Sequence, residues 1–88
     1  MPINFEIKVK NKKGLHINPS QQIAQLALGH PQTEIVLSKD GNSADAKSIL
    51  SILSLEISFE NTLQFSITGD NEKECHEAIL KLNQEEVI

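Results

Sequence analysis

Apolar and polar residues alternate over the first ten positions of the chain. Ile3, Phe5, Ile7 and Val9 fall on one side, and Asn4, Glu6, Lys8 and Lys10 on the other. A period of two is that of a strand with one wet face. Asn11 to Gly14 then reads as a turn. Asn18-Pro19 predicts a helix start, with Asn18 as the N-cap and Pro19 at the first helical position. Ile23, Ala24, Leu26 and Ala27 follow at helical spacing. Gly29 stops this helix and Pro31 keeps it stopped, so the first helix is predicted over roughly residues 19–28.

Glu34 to Ser38 is a short β-rich run, and Lys39-Asp40-Gly41-Asn42 carries a hairpin signal. Ser43 to Ala46 supplies the partner strand. Ser48 to Leu55 reads as a short apolar helix with Ser48 as its N-cap. Leu63, Phe65 and Ile67 alternate again as a strand, and Gly69-Asp70-Asn71 makes a turn and a cap. Glu72 to Asn83 is amphipathic, with Cys75, Ala78, Ile79 and Leu82 on one face. Glu72 and Glu74 lie in its first turn, where the helix dipole favours negative charge. The order is βαββαβα, without repeats or a linker. It implies one α+β domain over residues 1–88, a four-stranded antiparallel sheet with three helices covering one face.

Composition narrows the function classes. A chain of 88 residues buries only about 60–65% of its unfolded surface, which leaves room for one core and no deep cleft. There are 8 lysines, no arginine and 12 acidic residues, for a net charge of -4. Nucleic-acid binding, which needs a basic footprint, is disfavoured. The lone Cys75 forms neither an internal disulfide nor a cysteine-based zinc site. No apolar run approaches the ~20 residues of a membrane span. The N-terminus lacks the continuous apolar centre of a signal peptide. A mature, cytoplasmic, soluble chain is expected, with no membrane insertion.

Three histidines are candidates for chemistry. His16 lies just before the Asn18-Pro19 helix start, near unpaired backbone N–H groups and the positive end of a helix. Such a site stabilises an anion, and a phosphoryl group on His16 would be one. Lys12 and Lys13 stand close by in sequence. Locally, His16 reads more readily as a plain exposed loop histidine. His30, between Gly29 and Pro31, is expected to pack or cap, and His76, in a charged helix, to be solvated. No histidine pair has metal spacing with a third ligand, so neither metal nor cofactor is expected. There is no nucleophile elbow and no P-loop. Cys75 faces the predicted core and is expected to be inert.

Ser48 has two readings as well. A serine N-cap is an ordinary structural device. It is also a place where an added phosphate would meet free N–H groups and a favourable dipole. The helix after it is apolar on too many sides. Ile49, Leu50, Ile52, Leu53 and Leu55 cannot all point inward within two turns, so some form an exposed patch of the kind partners use, unless loops cover it.

Two of these stretches resemble one family. Lys13-Gly14-Leu15-His16, with Pro19 three residues on, resembles the active-site signature of the HPr phosphocarriers of the sugar phosphotransferase system. Ala46-Lys47-Ser48-Ile49, followed by the short apolar helix ending Leu53-Ser54-Leu55, resembles that family's regulatory-serine motif. Gly69 before the last helix and the element order agree with it, so the resemblance covers nearly the whole chain.

The resemblance implies an HPr-like open-faced β-sandwich. It implies that His16 accepts a phosphoryl group, through Nδ1, from phosphorylated enzyme I, which takes it from phosphoenolpyruvate. His16 then passes the group to enzyme IIA components. Asn18 and Ser20 would stabilise the phosphate. Ser48 would be a regulatory site for an HPr kinase. Ile17, Lys47, Ile49, Leu50 and Leu53 would dock partners, with the chain acting as a monomer. A carrier of this kind is a transfer intermediate with no small-molecule turnover of its own.

The sequence departs from the family where charge and glycine are concerned. The arginine two residues after the histidine is Asn18, and two family glycines are Glu56 and Glu60. A neutral Asn brings no charge to a phosphate, where a charged fork bonds roughly twice as strongly. The lysines at 12, 13 and 47 offer point charges without bidentate geometry. This leaves two functions in view. One is a working phosphocarrier. The other is an HPr-like regulatory module that acts through Ser48 and the apolar patch, with His16 weak or silent.

Overall fold

The computed structural model describes residues 1–88. Its strands are β1 (Ile3–Lys8), β2 (Thr33–Lys39), β3 (Asn42–Asp45) and β4 (Thr62–Gly69). Its helices are α1 (Ile17–Leu28), α2 (Ile49–Ser54) and α3 (Glu72–Gln84). The strands form one antiparallel sheet in the order β1-β4-β2-β3. The register aligns the apolar positions into rows. Phe5, Phe65, Leu37 and Ala44 stand side by side, as do Ile3, Ile67 and Ile35. These rows face the helices, and Ile23, Ala27, Ile52 and Ile79 close the core over them. The opposite face of the sheet carries polar residues such as Asn4, Glu6, Gln64 and Ser66 and stays open. This is the one-face-covered sheet that the element order implied, and the open-faced sandwich that the resemblance implied.

The Lys39 to Asn42 hairpin has Asp40 at φ 52° and Gly41 at φ 84°. Two successive positive φ angles are what a two-residue hairpin turn requires. Gly14 and Gly69 meet a stronger demand. Gly14 has φ +72° and Gly69 φ +132°, and a Cβ on either would collide with a backbone carbonyl, of Ile57 and Gln32 respectively.

Two local expectations are corrected. The first helix starts at Ile17, so His16 and not Asn18 is its N-cap. The first i→i−4 bond runs from the Ser20 N–H to the His16 carbonyl at 3.1 Å. Pro19 is tolerated inside the first turn because N–H groups there have no helical partner. His76 is half-buried and not solvated. Its ring centroid lies 4.3 Å from that of Phe5. Phe5 sits on an edge strand, stacked on Phe65 at 5.3 Å, and its outer side is free for α3 to cover.

Candidate functional site

His16 ends the connection from β1 and begins α1. Its backbone is extended (φ -81°, ψ -164°), its ring makes no capping bond, and the residue is half-buried. The N–H groups of Ile17 and Asn18 precede the first helical bond and remain available. Pro19 has none to offer. An anion on the ring therefore meets two backbone donors and the positive end of a twelve-residue helix. The Asn18 side chain is exposed beside them. Ser20 sits differently from the role the resemblance gives it. It is buried, and its hydroxyl donates to the Leu15 carbonyl at 3.3 Å. Its contribution is to hold the loop beneath His16.

That loop is fastened on two sides. Leu15 N–H donates to the Ile57 carbonyl at 3.0 Å, and Gly14 N–H to Asn11 at 2.9 Å. The Asn11 side chain donates to the Val87 carbonyl at 3.1 Å and accepts from Lys13 N–H at 2.8 Å. Asn83 donates to the carbonyls of Lys8, at 2.9 Å, and Ile88, at 3.1 Å. The last residues of the chain thus brace the strand that leads to His16. The sequence reading placed Asn11 in a turn and Asn83 at the end of the last helix but missed these bonds, because the acceptors Val87 and Lys8 lie 76 and 75 residues away.

α2 packs beside α1. Ser48 is its N-cap, and the hydroxyl accepts from Ser51 N–H at 3.2 Å. Lys47 N–H is bonded to the Asp45 carboxylate at 2.9 Å. The other end of α2 is capped by Lys39, whose Nζ donates to the carbonyls of Leu55, at 3.2 Å, and Glu56, at 2.8 Å. No local signal pointed to Lys39. A lysine at a helix C-terminus complements the dipole, but this one arrives from a strand. Of the apolar residues in and after α2, Ile52 and Leu55 are buried, Ile49 and Leu53 half-buried, and Leu50 is 79% exposed. Ile17 is 62% exposed.

Two titrating groups are shifted, and neither touches His16. Glu72 is held below the usual carboxylate range, first by the Gly69 N–H that donates to it at 2.8 Å and then by the chain's amino terminus. Burial pushes the Cys75 thiol up, and neighbouring Glu74 adds to this, as expected of an unreactive core cysteine. His30 Nδ1–H donates to the Leu26 carbonyl at 3.0 Å, at the end of α1. No three His, Cys, Asp or Glu side chains gather closely enough to hold a metal ion. No helix is long and apolar enough to cross a membrane.

An open-faced sandwich with one histidine at a helix N-terminus, beside a short apolar helix capped by serine, can receive an anion at that histidine. The comparisons agree with that geometry. The family model described as "PTS HPr component phosphorylation site" matches residues 3–85, and the chain belongs to this family of phosphocarriers. It is 35% identical over 72 residues to the phosphocarrier protein HPr of Cupriavidus necator, covering 82% of this chain and 80% of that one. It is 33% identical over 84 residues to the HPr-like protein Crh of Halalkalibacterium halodurans, covering 96% and 99%. Its fold superposes on the crystal structure of HPr-C-His from Thermoanaerobacter tengcongensis with a TM-score of 0.90 at 34% identity, covering 97% and 94% of the two chains.

Proposed function

We propose that the chain carries phosphoryl groups on His16, accepting them from phosphorylated enzyme I and passing them to enzyme IIA components in the cytoplasm. The observation that supports this most directly is the unengaged His16 ring at the α1 N-cap, beside the free N–H groups of Ile17 and Asn18. In the transfer the lone pair of Nδ1 attacks phosphorus. The bond from phosphorus to the donor breaks, and its electron pair stays with the donor. Nδ1 is the ring nitrogen nearer the backbone, so its phosphoryl oxygens lie nearer the two N–H donors. Those donors stabilise spread charge by position, without a new bond to break on the onward step. The exposed apolar residues Ile17 and Leu50, with half-buried Ile49 and Leu53 and the Lys47 ammonium, would take partners briefly.

A second reading is a regulatory module governed by an HPr kinase at Ser48. It is favoured by Asn18, which puts a neutral amide where the family has a guanidinium. It is also favoured by the similarity to an HPr-like Crh protein. One experiment separates the readings. The chain is mixed with phosphoenolpyruvate and the enzyme I of its own organism, and intact mass is read beside His16→Ala. One acid-labile phosphoryl group, absent from the variant, is the expected result. An unmodified chain beside an active enzyme I would overturn the carrier reading and leave the Ser48 reading standing.

A further inference from the structure

Asn11 uses both ends of its side chain. Oδ1 accepts from the Lys13 N–H at 2.8 Å, and Nδ2 donates to the Val87 carbonyl at 3.1 Å. The Asn11 main-chain carbonyl accepts from the Gly14 N–H at 2.9 Å. The bonds to Lys13 and Gly14 build the turn that leads to His16, because an asparagine amide closes a turn on the N–H two residues ahead. The bond to Val87 ties that turn to a segment 76 residues away.

The far anchor is itself held. Val87 N–H donates to the Leu82 carbonyl at 2.9 Å. The Ile88 carbonyl accepts from Lys10 N–H at 3.2 Å and from Asn83 Nδ2 at 3.1 Å, and the Ile88 side chain is fully buried in the core. Residues 11–16 have two hydrogen-bonded attachments beyond themselves and α1. One is Asn11 to Val87, and the other is Leu15 N–H to the Ile57 carbonyl. A segment with one attachment can pivot about it, whereas two fix its direction. The residue type matters too. Asparagine carries a separate acceptor and donor on a single methylene. Aspartate would keep the bond from Lys13 but turn a second acceptor toward the Val87 carbonyl.

We propose that Asn11 is a positioning residue for phosphoryl transfer. Through the turn at Lys13, Gly14 and Leu15 it aims the His16 ring, so that a phosphoryl group on Nδ1 meets the N–H groups of Ile17 and Asn18. The inference rests on the reading of His16 as a carrier. In-line transfer depends mostly on placement, and a misplacement of about 1 Å can cost about 10²-fold in rate. All the Asn11 bonds go to backbone groups of this chain, so losing them slows the step and spares the encounter with the donor.

The test follows phosphoryl acceptance from phosphorylated enzyme I of the same organism, by rapid quench over a range of enzyme I concentrations. It compares the full chain with Asn11→Ala, Asn11→Asp and Ile35→Val. Ile35 is buried in β2, so its change loosens the core and leaves the bonds of the loop in place. Both Asn11 variants lose the tie to Val87. The saturating rate of each should fall about tenfold, with the half-saturating concentration within about twofold of the unmodified chain. Ile35→Val should keep the unmodified rate. Full rate in Asn11→Ala overturns the proposal, and full rate in Asn11→Asp does so by showing that the tie to Val87 is dispensable. Equal slowing in Ile35→Val would reduce the effect to general loosening, and a raised half-saturating concentration at full rate would move Asn11 to docking. Either result overturns the proposal. If the unmodified chain takes no phosphoryl group from an active enzyme I, the carrier reading falls and this inference with it. Acceptance at one rate by the unmodified chain and both Asn11 variants overturns the inference alone.

Discussion

Leu15 and Ile57 are joined by a 3.0 Å backbone hydrogen bond that ties the His16 loop to the segment following α2. The approach is close enough that Gly14, with φ +72°, has no space for a Cβ against the Ile57 carbonyl. Gly14→Ala combines a left-handed backbone with a backbone collision. It should cost at least about 2 kcal/mol and lower the rate of phosphoryl acceptance as the loop shifts. Urea unfolding and the transfer assay check the two effects.

Glu56 and Glu60 have φ 52° and 71°, a conformation that suits glycine and strains other residues. Glu56→Gly and Glu60→Gly should each raise stability, by about 1 kcal/mol less whatever entropy glycine adds to the unfolded chain. The Lys39 bond to residue 56 survives the first change, because Lys39 is bonded to the backbone carbonyl. Loss of stability in either variant would show that the carboxylate does more than tolerate its position.

Asn83 is buried and donates to the carbonyls of Lys8 and Ile88. Asn83→Leu leaves both acceptors without their side-chain donor and should cost about 1–3 kcal/mol. Amide exchange should rise at Lys10, whose N–H is bonded to Ile88 at 3.2 Å. Unchanged exchange at Lys10 would mean that the tail stays docked without Asn83.

The lowered proton affinity of Glu72 sets the sign of one pH effect. The unfolded carboxyl binds a proton more readily than the folded one, so the stability from Glu72 is full above its unfolded value of 4.5. It fades as pH falls through the folded, depressed value. The stability difference between the unmodified chain and Glu72→Gln should therefore be constant near neutrality and shrink as pH falls below the unfolded value. A difference that grows on acidification would contradict the Gly69–Glu72 bond as its source.

Ser48 permits a clean separation of capping from charge. Ser48→Ala loses the bond from Ser51 N–H and should destabilise by about 1 kcal/mol. Ser48→Asp keeps a capping oxygen and should be near neutral in stability. It places a carboxylate beside exposed Leu50 and should weaken partner binding by about tenfold. Binding unaffected by the Asp variant would remove Ser48 from the docking face.

The legible parts of this protein are those written in local periodicity. Strands alternate every two residues and helices every three or four, so Ile3 to Val9 and Cys75 to Leu82 state their own geometry. The Asp40-Gly41 turn was readable because few residues accept successive positive φ angles. His76 was misjudged from its charged helix. Only the packing of α3 over the sheet's edge brings it to Phe5.

By itself, then, the sequence determined the element order, the inward faces, the position of His16 near a helix N-terminus and the serine cap of α2. Each follows from the conformation of a few adjacent residues. The tertiary structure alone decided that β4 lies between β1 and β2, that Lys39 caps α2 from across a strand, and that Asn11 and Asn83 fasten the chain's end beneath the His16 loop. These arrangements depend on which surfaces meet once the core closes, and burial, unlike backbone geometry, is a property of the whole chain.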